Sequence, residues 1–292
     1  MRQPVFIGDV QGCADELDEL LVQVRSAFGD GGFEPWLVGD LVNRGPANLR
    51  VLERARGLVE EQAGRVVLGN HDVALIAVHL GLRAPRPRDT FGDVPADSAA
   101  GDWIEWLRTR PLVATGRLGA RPFAMVHAAV APDWSLETLA ERARRVEARL
   151  GAPDPAQARA LLEAPASDPD RDALERMTRC RSVDARGAWH AREPARPGDA
   201  WHRRWAAFGH GYGVVYGHWA MQGLQRAPGL RGIDTGCVHR GLGGEGRLTA
   251  WAPDLRAADP FALPDAGRLF HARARRDYFR EVLESVGPVD SP

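Results

Sequence analysis

Three short apolar runs near the start of the chain end in the same way, with a glycine followed by a polar side chain that can bind a metal. The runs end in Gly8-Asp9, Gly39-Asp40 and Gly69-Asn70. After each run, apolar residues recur at helical spacing, over 14–27, 48–61 and 73–82. Strands that alternate with helices in this way predict βαβ units and a largely parallel sheet. Polar residues at the carboxyl ends of such strands converge on one crevice.

The rest of the 292-residue chain gives further but weaker signals. Strands are predicted at two positions within 113–126 and at 214–216, 230–234 and 248–251, and helices at 102–109, 136–150 and 274–286. A stretch rich in Pro, Asp and Arg at 83–101 predicts a loop, and 151–204 predicts an irregular, partly helical segment. We treat 1–292 as a single domain.

Composition excludes two classes of enzyme, because all 38 basic residues are arginines and lysine is absent. A P-loop places a lysine on the phosphates, and a pyridoxal enzyme forms a Schiff base with one. Arginine remains available for bidentate contacts to phosphate. The formal net charge of −1 gives no overall basic field that would favour DNA or an anionic membrane.

The sequence also leads us to expect a cytoplasmic protein. It contains no apolar run long enough to cross a bilayer, and its first residues lack the pattern of a signal peptide. The three cysteines, at 13, 180 and 237, are too few and too scattered for a disulfide framework or a four-thiolate zinc site.

Five short motifs follow one another in order: GDVQG, GDLVNRG, GNHD, VHA and GHW. Each alone is more often a turn or a packed histidine, since Gly and Asp are common turn residues. Together they resemble the phosphoprotein-phosphatase branch of the calcineurin-like metallophosphoesterases. The longer strings GDVQGCADEL, GDLVNRGP, VLGNHDVALIAV, YGHWA and IDTGCV resemble one group within it, the bacterial symmetrical dinucleoside tetraphosphatases. The likeness is strong over 5–82, 125–134 and 216–237.

The resemblance implies an α/β fold, a four-layer sandwich of two sheets flanked by helices, with 83–111 and 135–205 as helical cap insertions over the site. It implies hydrolysis of diadenosine tetraphosphate to two ADP, or of related dinucleoside polyphosphates and nucleoside-tetraphosphate RNA caps. The expected partner is thus a dinucleoside polyphosphate, with capped RNA 5′ ends as a further candidate. We expect neither DNA nor a membrane as a partner, and a monomer.

The same resemblance implies two divalent metal ions and a set of ligands for them. Asp40 would bridge the ions, Asp9 and Gln11 would complete the first site, and the second would use Asn70, His127 and His218. Carboxylate, amide and imidazole ligands suit Mn²⁺, with Co²⁺ and iron as alternatives.

A second set of residues is implied to act on the substrate. Arg44 would neutralise the phosphate oxygens, and His71 would protonate the leaving oxygen as general acid. Asn43 and Asp72 are further candidates for the catalytic group. Arg176 and Trp219 are candidates, with Arg44, for binding the substrate.

Three features depart from the family pattern. Gln11 stands where many relatives have histidine, which puts the affinity of the first metal site in question. Asn43 stands where protein phosphatases have aspartate; an amide can orient His71 without raising its pKa, which favours a good leaving group such as ADP. The segment 239–246 is longer and richer in glycine than expected, and could reshape one wall of the site.

Two alternatives stay open at this point. The same site could serve a serine/threonine or tyrosine protein phosphatase, which would turn over phosphopeptides rather than dinucleotides. A catalytically weak nucleotide sensor is the other alternative, in which Gln11 has disabled the first metal site.

Overall fold

The computed structural model describes residues 2–239, 246–262 and 267–287. Its strands are β1 (Gln3–Ile7), β2 (Phe33–Leu37), β3 (Arg65–Val66), β4 (Val113–Leu118), β5 (Arg121–Val126), β6 (Ser182–Val183), β7 (Trp189–His190), β8 (Gly213–Tyr216), β9 (Gln225–Ala227), β10 (Leu230–Gly232), β11 (Arg247–Pro253) and β12 (Gly267–Arg273).

The helices lie between and after these strands. They are α1 (Ala14–Phe28), α2 (Asn48–Gln62), α3 (Asn70–His79), α4 (Asp93–Ala96), α5 (Ala100–Arg108), α6 (Leu136–Leu150), α7 (Pro155–Glu163), α8 (Pro169–Arg179), α9 (Trp201–Ala206) and α10 (Tyr278–Val286), with single 3₁₀ turns at Pro197–Asp199 and Ala220–Gln222.

Two five-stranded sheets form the centre of the molecule. The first has the order β12-β11-β1-β2-β3 and the second the order β4-β5-β8-β10-β9, while β6 and β7 form a separate hairpin. Strands β1, β2 and β3 are parallel, and so are β5, β8 and β10. The outer pairs β1–β11, β11–β12, β4–β5 and β9–β10 are antiparallel. The prediction of a largely parallel sheet is therefore right for β1 to β3 and wrong for the sheets as a whole, which are mixed.

The alternation of side chains along each strand builds the layers. Phe6 in β1 points to an apolar core between the two sheets, whereas its neighbours Val5 and Ile7 belong to the core on the outer side. The core between the sheets also contains Trp36, Val67, Phe123, Met125, Val215 and Trp251. Helices α1 and α2 pack on the first sheet, and α6 contacts the second. The predicted α/β sandwich is confirmed.

Several predicted elements differ from the observed ones. Strands β9 and β12 were not predicted, and the last helix begins at Tyr278 rather than at 274, because β12 occupies the chain up to Arg273. The predicted loop at 83–101 contains the short helix α4.

The segment 151–204 is more regular than predicted, since it contains α7, α8, most of α9 and the β6–β7 hairpin. Asp154 and Asp168 cap α7 and α8 with their side chains, and each is followed by a proline at the first helical position. An Asp-Pro pair of this kind is a helix-start signal. It was missed in the sequence because this segment is rich in Pro, Ala, Asp and Arg and has little apolar periodicity.

Among the described residues, no helix combines the length and the apolarity that crossing a membrane requires. The glycine-rich segment expected to reshape the site spans 239–246. Its positions 240–245 lie outside the described residues.

Candidate metal centre and active site

The ends of five strands bring the predicted metal ligands to one place. Asp9, Asp40 and Asn70 follow β1, β2 and β3, and the two histidines His127 and His218 follow β5 and β8. Because each group of strands is parallel, their carboxyl ends meet at one edge of each sheet. The ligand atoms of Asp40, His127 and His218 all lie within 4.8 Å of one another.

Both imidazoles are held by a backbone carbonyl on their outer nitrogen. Nδ1 of His127 donates to the carbonyl of Val38 at 2.9 Å, and Nε2 of His218 donates to the carbonyl of Arg179 at 3.1 Å. The nitrogen that remains on each ring therefore faces inward. This arrangement orients histidines that bind metals, since it fixes the tautomer and the ring plane.

The group that faces His127 is the buried carboxylate of Asp40, with Oδ2 3.4 Å from Nε2. Burial alone would raise the pKa of Asp40, but the imidazoles of His127 and His71 hold it below its usual value. Burial would lower the pKa of His127, and the carboxylate of Asp40 raises it instead. Without an ion, each group thus favours the charged form of the other. A divalent cation between them would take the place of the imidazolium proton and bind Oδ2 of Asp40 and Nε2 of the neutral imidazole.

The amide of Asn70 completes this half of the site. Its Oδ1 lies 3.2 Å from Nε2 of His127. In the opposite amide orientation the nitrogen would donate to Nδ1 of His218 at 2.8 Å and to the carbonyl of Thr178 at 3.1 Å. A cation among these atoms favours the first orientation, because the oxygen is then a ligand. Asp40, Asn70, His127 and His218 therefore fit one metal ion.

Three buried carboxylates crowd the other half of the site. Asp9 accepts the backbone N–H of His218 at 3.0 Å. Burial raises the pKa of Asp9 well above its usual value, and the neighbouring Asp234 and Asp40 raise it further. Burial also raises the pKa of Asp234 to about 6. Buried like charges that raise one another's pKa are costly unless a cation compensates them, so this half of the site is suited to a cation.

Gln11 lies in the loop after β1 and lines a cavity together with Asp40 and Asp234. Its backbone N–H donates to the carbonyl of Asp40 at 2.8 Å, which ties the first two motif loops together. The structure thus places Gln11 at the same cavity as two of the buried carboxylates.

The backbone at the site is strained. Six non-glycine residues of the described chain have a positive φ, and all but Ala63 belong to the predicted site: Gln11, Asp40, Asn43, Arg44 and His218. Left-handed conformations of such residues cost of order 1–3 kcal/mol each and cluster at functional sites. The fold holds these five side chains in place at the expense of stability.

Two glycines allow the motif loops to approach the carboxylates closely. A Cβ atom on Gly69 would collide with Oδ1 of Asp40, and one on Gly217 would collide with Oδ1 of Asp9. Any side chain at these positions would displace a candidate ligand.

His71 lies beside the metal centre, with Nε2 3.9 Å from Oδ2 of Asp40. Burial lowers its pKa to about 4, so the imidazole is neutral near pH 7. Nδ2 of Asn43 lies 3.0 Å from Nδ1 of His71, the contact expected of an orienting amide.

Asp72 lies away from the cavities and contacts backbone instead. Its carboxylate accepts the N–H groups of Leu41 and Gly69, both at 2.9 Å. Burial, with Asp40 nearby, raises its pKa to about 7. Asp72 joins the second and third motif loops, and the structure does not bring it to the reacting position expected of a catalytic group.

Two cavities adjoin the metal centre. The larger, of about 830 Å³, extends between α3, α8 and the segment after Leu82. The smaller, of about 430 Å³, is lined by Trp219, Met221, Asp234 and Phe279 among others. Arg44 lines both cavities, and its guanidinium lies 4.3 Å from the ring centre of Phe279. Trp219 and Arg44 thus both line a cavity beside the metal centre.

Arg176 is the predicted substrate ligand that the structure places elsewhere. Its guanidinium pairs with Asp172 at 3.4 Å and lies 5.7 Å from the ring centre of Trp134, and it lines neither cavity. The helical turn of α8 directs Arg179 to the larger cavity instead, and Arg181, just past the helix, lines both.

Comparison with known proteins agrees with this geometry. The model of the family described as calcineurin-like phosphoesterase matches residues 4–176. The chain belongs to this family. Symmetrical bis(5′-nucleosyl)-tetraphosphatase of Methylococcus capsulatus is 36% identical over 274 residues, which cover 88% of this chain and 94% of the relative. The enzyme of the same name from Shewanella loihica is 33% identical over 80% of this chain and 89% of its own length.

A solved structure shows the same fold. A crystal structure provisionally assigned as a diadenosine tetraphosphatase aligns with a TM-score of 0.57 over 93% of both chains, at 21% identity. Metallophosphoesterases of this family use a dinuclear divalent metal centre, and in this chain the ligand atoms of Asp40, His127 and His218 lie close enough together to hold an ion.

Some residues at the site were not found by sequence reasoning. Asp234 was noticed only as part of the string IDTGCV, and its strand-end position after β10 could have marked it as a residue of the site. Phe279 and Asp89 reach the site from distant parts of the chain through tertiary packing, and carry no local signal.

Proposed function

We propose that this protein hydrolyses dinucleoside tetraphosphates at their centre, and in particular that it splits diadenosine tetraphosphate into two ADP. The relatives that share a third of their sequence with most of this chain carry that activity in their name. The arrangement of the cavities supports the same substrate independently.

The observation that carries the proposal is that two cavities meet at the metal centre. They share Arg44, Asn70, His71, Arg181, Ala191 and His218. A substrate cut at its middle must place one nucleotide on either side of the reacting phosphorus. Cavities on both sides suit a dinucleotide better than a substrate with a single small leaving group.

The charges on the walls suit a polyphosphate chain. The larger cavity is lined by seven arginines: Arg44, Arg83, Arg86, Arg88, Arg171, Arg179 and Arg181. Only Asp89 and Glu175 oppose them among its lining residues. Guanidinium groups bind phosphate oxygens with two parallel hydrogen bonds, which gives both charge neutralisation and orientation.

The residues of the chain divide the chemistry between them. Two divalent ions, which we propose to be Mn²⁺, would supply an activated water and a clamp on the phosphate oxygens when bound. Arg44 neutralises the charge that develops on the non-bridging oxygens. His71 presents the Nε2–H of its neutral ring to the leaving phosphate oxygen and stabilises the charge that develops there by a hydrogen bond. Full proton transfer is not required, because ADP is a much better leaving group than an alkoxide.

Four further parts of the proposal rest on the same site. The insertions 83–111 and 135–205 cover the larger cavity, since both contribute lining residues. Nucleoside-tetraphosphate caps on RNA carry the same phosphate chain and would be substrates, whereas DNA would not. One chain lines both cavities, in keeping with an active monomer. The three cysteines are unpaired, in keeping with the cytoplasm.

The proposal is tested by comparing substrates at matched concentrations with Mn²⁺. Diadenosine tetraphosphate should be turned over with a kcat/KM at least about 100-fold above that of a phosphoserine or phosphotyrosine peptide. His71→Ala should lose the dinucleotide activity, whereas His79→Ala, at the exposed end of α3, should keep it. Preference for a phosphopeptide would support a protein phosphatase instead, and nucleotide binding without turnover would support a sensor.

A further inference from the structure

The side chain of Asn43 has a partner for every one of its hydrogen-bonding groups. Its Oδ1 accepts the backbone N–H groups of Arg44 and Thr90, both at 2.9 Å. Its Nδ2 lies 2.9 Å from Oδ1 of Asp89 and 3.0 Å from Nδ1 of His71. Two N–H donors on the oxygen and the carboxylate of Asp89 on the nitrogen together hold the amide in one orientation, because turning it over would set the NH₂ group against both donors and the oxygen against Asp89.

This orientation fixes the tautomer of His71. Since Nδ2 of Asn43 can only donate, Nδ1 of His71 must accept, and the proton of the neutral ring is on Nε2. Nε2 is the nitrogen that faces the metal centre, 3.9 Å from Oδ2 of Asp40. The proton is therefore where the leaving oxygen of a substrate would need it.

Asp89 is itself held firmly. Its side chain is 9% exposed, and its Oδ2 accepts from the guanidinium of Arg83 at 2.8 Å and from the backbone N–H of Arg86 at 2.9 Å. Oδ1 is thereby aimed at the second N–H of Asn43. Arg83 and Arg86 also line the larger cavity, so the same short segment contacts both the substrate wall and the amide.

We infer that Asp89 is a positioning residue, which acts through Asn43 to keep the proton of His71 on Nε2; the inference rests on the proposed hydrolase function. In the step it serves, a water oxygen bonds to phosphorus and the bond to the leaving oxygen breaks. The Nε2–H of His71 donates a hydrogen bond to the leaving oxygen and stabilises its developing charge, and the protons released by the attacking water pass to solvent. The carboxylate that assists His71 thus comes from the insertion 83–111 and not from the GDLVNRG motif.

The first test compares two aryl phosphates that differ in how much protonation their leaving groups need. Asp89→Ala should lower kcat about tenfold or more for phenyl phosphate, and by less than about threefold for p-nitrophenyl phosphate. Asp89→Asn keeps an oxygen that can accept from Asn43, and should recover most of the phenyl phosphate activity. Asp102→Ala, at an exposed position of the same insertion, should leave both rates unchanged. Equal losses on both substrates would overturn the inference.

The second test needs no turnover. Nitrogen NMR of ¹⁵N-histidine protein without metal at pH 7 reports the tautomer of each ring, and His71→Gln identifies the His71 signals. The wild type should carry the His71 proton on Nε2, and Asp89→Ala should mix the two tautomers. A proton on Nδ1 in the wild type, or an unchanged tautomer in the variant, would overturn the inference. Failure of the proposed function would show separately, as an absence of dinucleotide hydrolysis.

Discussion

The hydrogen bonds of each imidazole decide which of its nitrogens can bind a metal at this site. In His127 and His218, one ring nitrogen donates a hydrogen bond to a backbone carbonyl and the other faces Asp40 and Asn70. Neither interaction is visible in the motifs VHA and GHW, which supply only the residue types. The tautomers follow from tertiary contacts with Val38 and Arg179.

His127→Gln should remove a ligand from the better-defined metal site. We expect fewer than two Mn²⁺ ions per chain and a loss of about 100-fold or more in turnover, because changes even beyond the direct ligands of a metal cost 10–100-fold. Metal content by atomic emission and initial rates provide the measurement. His79→Gln, at an exposed position, serves as the matched control and should bind as the wild type does. Unchanged metal content in His127→Gln would contradict the assignment.

The predicted ligands that the structure brings together all lie within a few residues of the end of a strand. They are Asp9, Asp40, Asn70, His127 and His218. Sequence reasoning failed for Arg176, since an arginine-rich helix gives no indication of which arginine faces the cavity. Sequence reasoning also missed Asp89, because its proposed role depends on a hydrogen bond from Asn43, which is far from it in sequence.

At the scale of elements, the end of α2 carries a strain that has no part in the site. Ala63 closes the helix in the left-handed conformation, with φ 55° and ψ 28°, and is exposed. A left-handed L-residue costs roughly 1–2 kcal/mol, part of which glycine avoids.

Ala63→Gly should therefore stabilise the protein by about 0.5–1 kcal/mol, after allowing for the greater freedom of glycine in the unfolded chain. Thermal unfolding should show the midpoint rise by about 1–3 °C, with activity unchanged. Ala207→Gly at the end of α9 is the matched control, since φ there is −66° and the same change should destabilise. A lower midpoint for Ala63→Gly would show that strain at α2 is not relieved.

Elements with strong periodicity were predicted within a few residues, and those without it were not. Helices α1, α2 and α6 have regular apolar stripes and lie where expected. Strand β9 has three residues, too few to show alternation. Strand β12 lies at the edge of its sheet and exposes several side chains, so that its burial pattern is weak.

At the scale of the whole molecule, the free energy of unfolding should depend on pH through His202, a half-buried histidine in α9. Burial lowers the pKa of His202 to about 4, and its Nδ1 receives a hydrogen bond from Gln222 at 2.9 Å. An unfolded histidine has a pKa near 6.5. Between these values the unfolded chain binds more protons than the folded one, so stability falls as the pH falls.

Replacing the titrating group should remove this part of the acid sensitivity. We expect His202→Gln to gain stability relative to the wild type as the pH is lowered from 7 to 4, whatever the difference at pH 7. Urea unfolding at several pH values measures the free energies. A difference that does not change with pH would show that His202 is not protonated on unfolding.

The packing of two sheets face to face, with a shared metal centre at the ends of their strands, could be predicted from the family resemblance, whereas the two cavities could not. Much of the wall of the larger cavity comes from the segments 83–111 and 151–204, and the second of these also contributes to the smaller cavity. The composition of both segments gave little structural signal. The volumes on either side of His71 are a property of the assembled fold.

The most direct measurement is the product distribution from diadenosine tetraphosphate with Mn²⁺, separated by anion-exchange chromatography. If the phosphate chain of the substrate is cut at its centre, between the two cavities, ADP is the sole nucleotide product. Two ADP molecules are then formed for each substrate molecule consumed. Equal amounts of ATP and AMP would place the attacked phosphorus away from the centre and contradict the account.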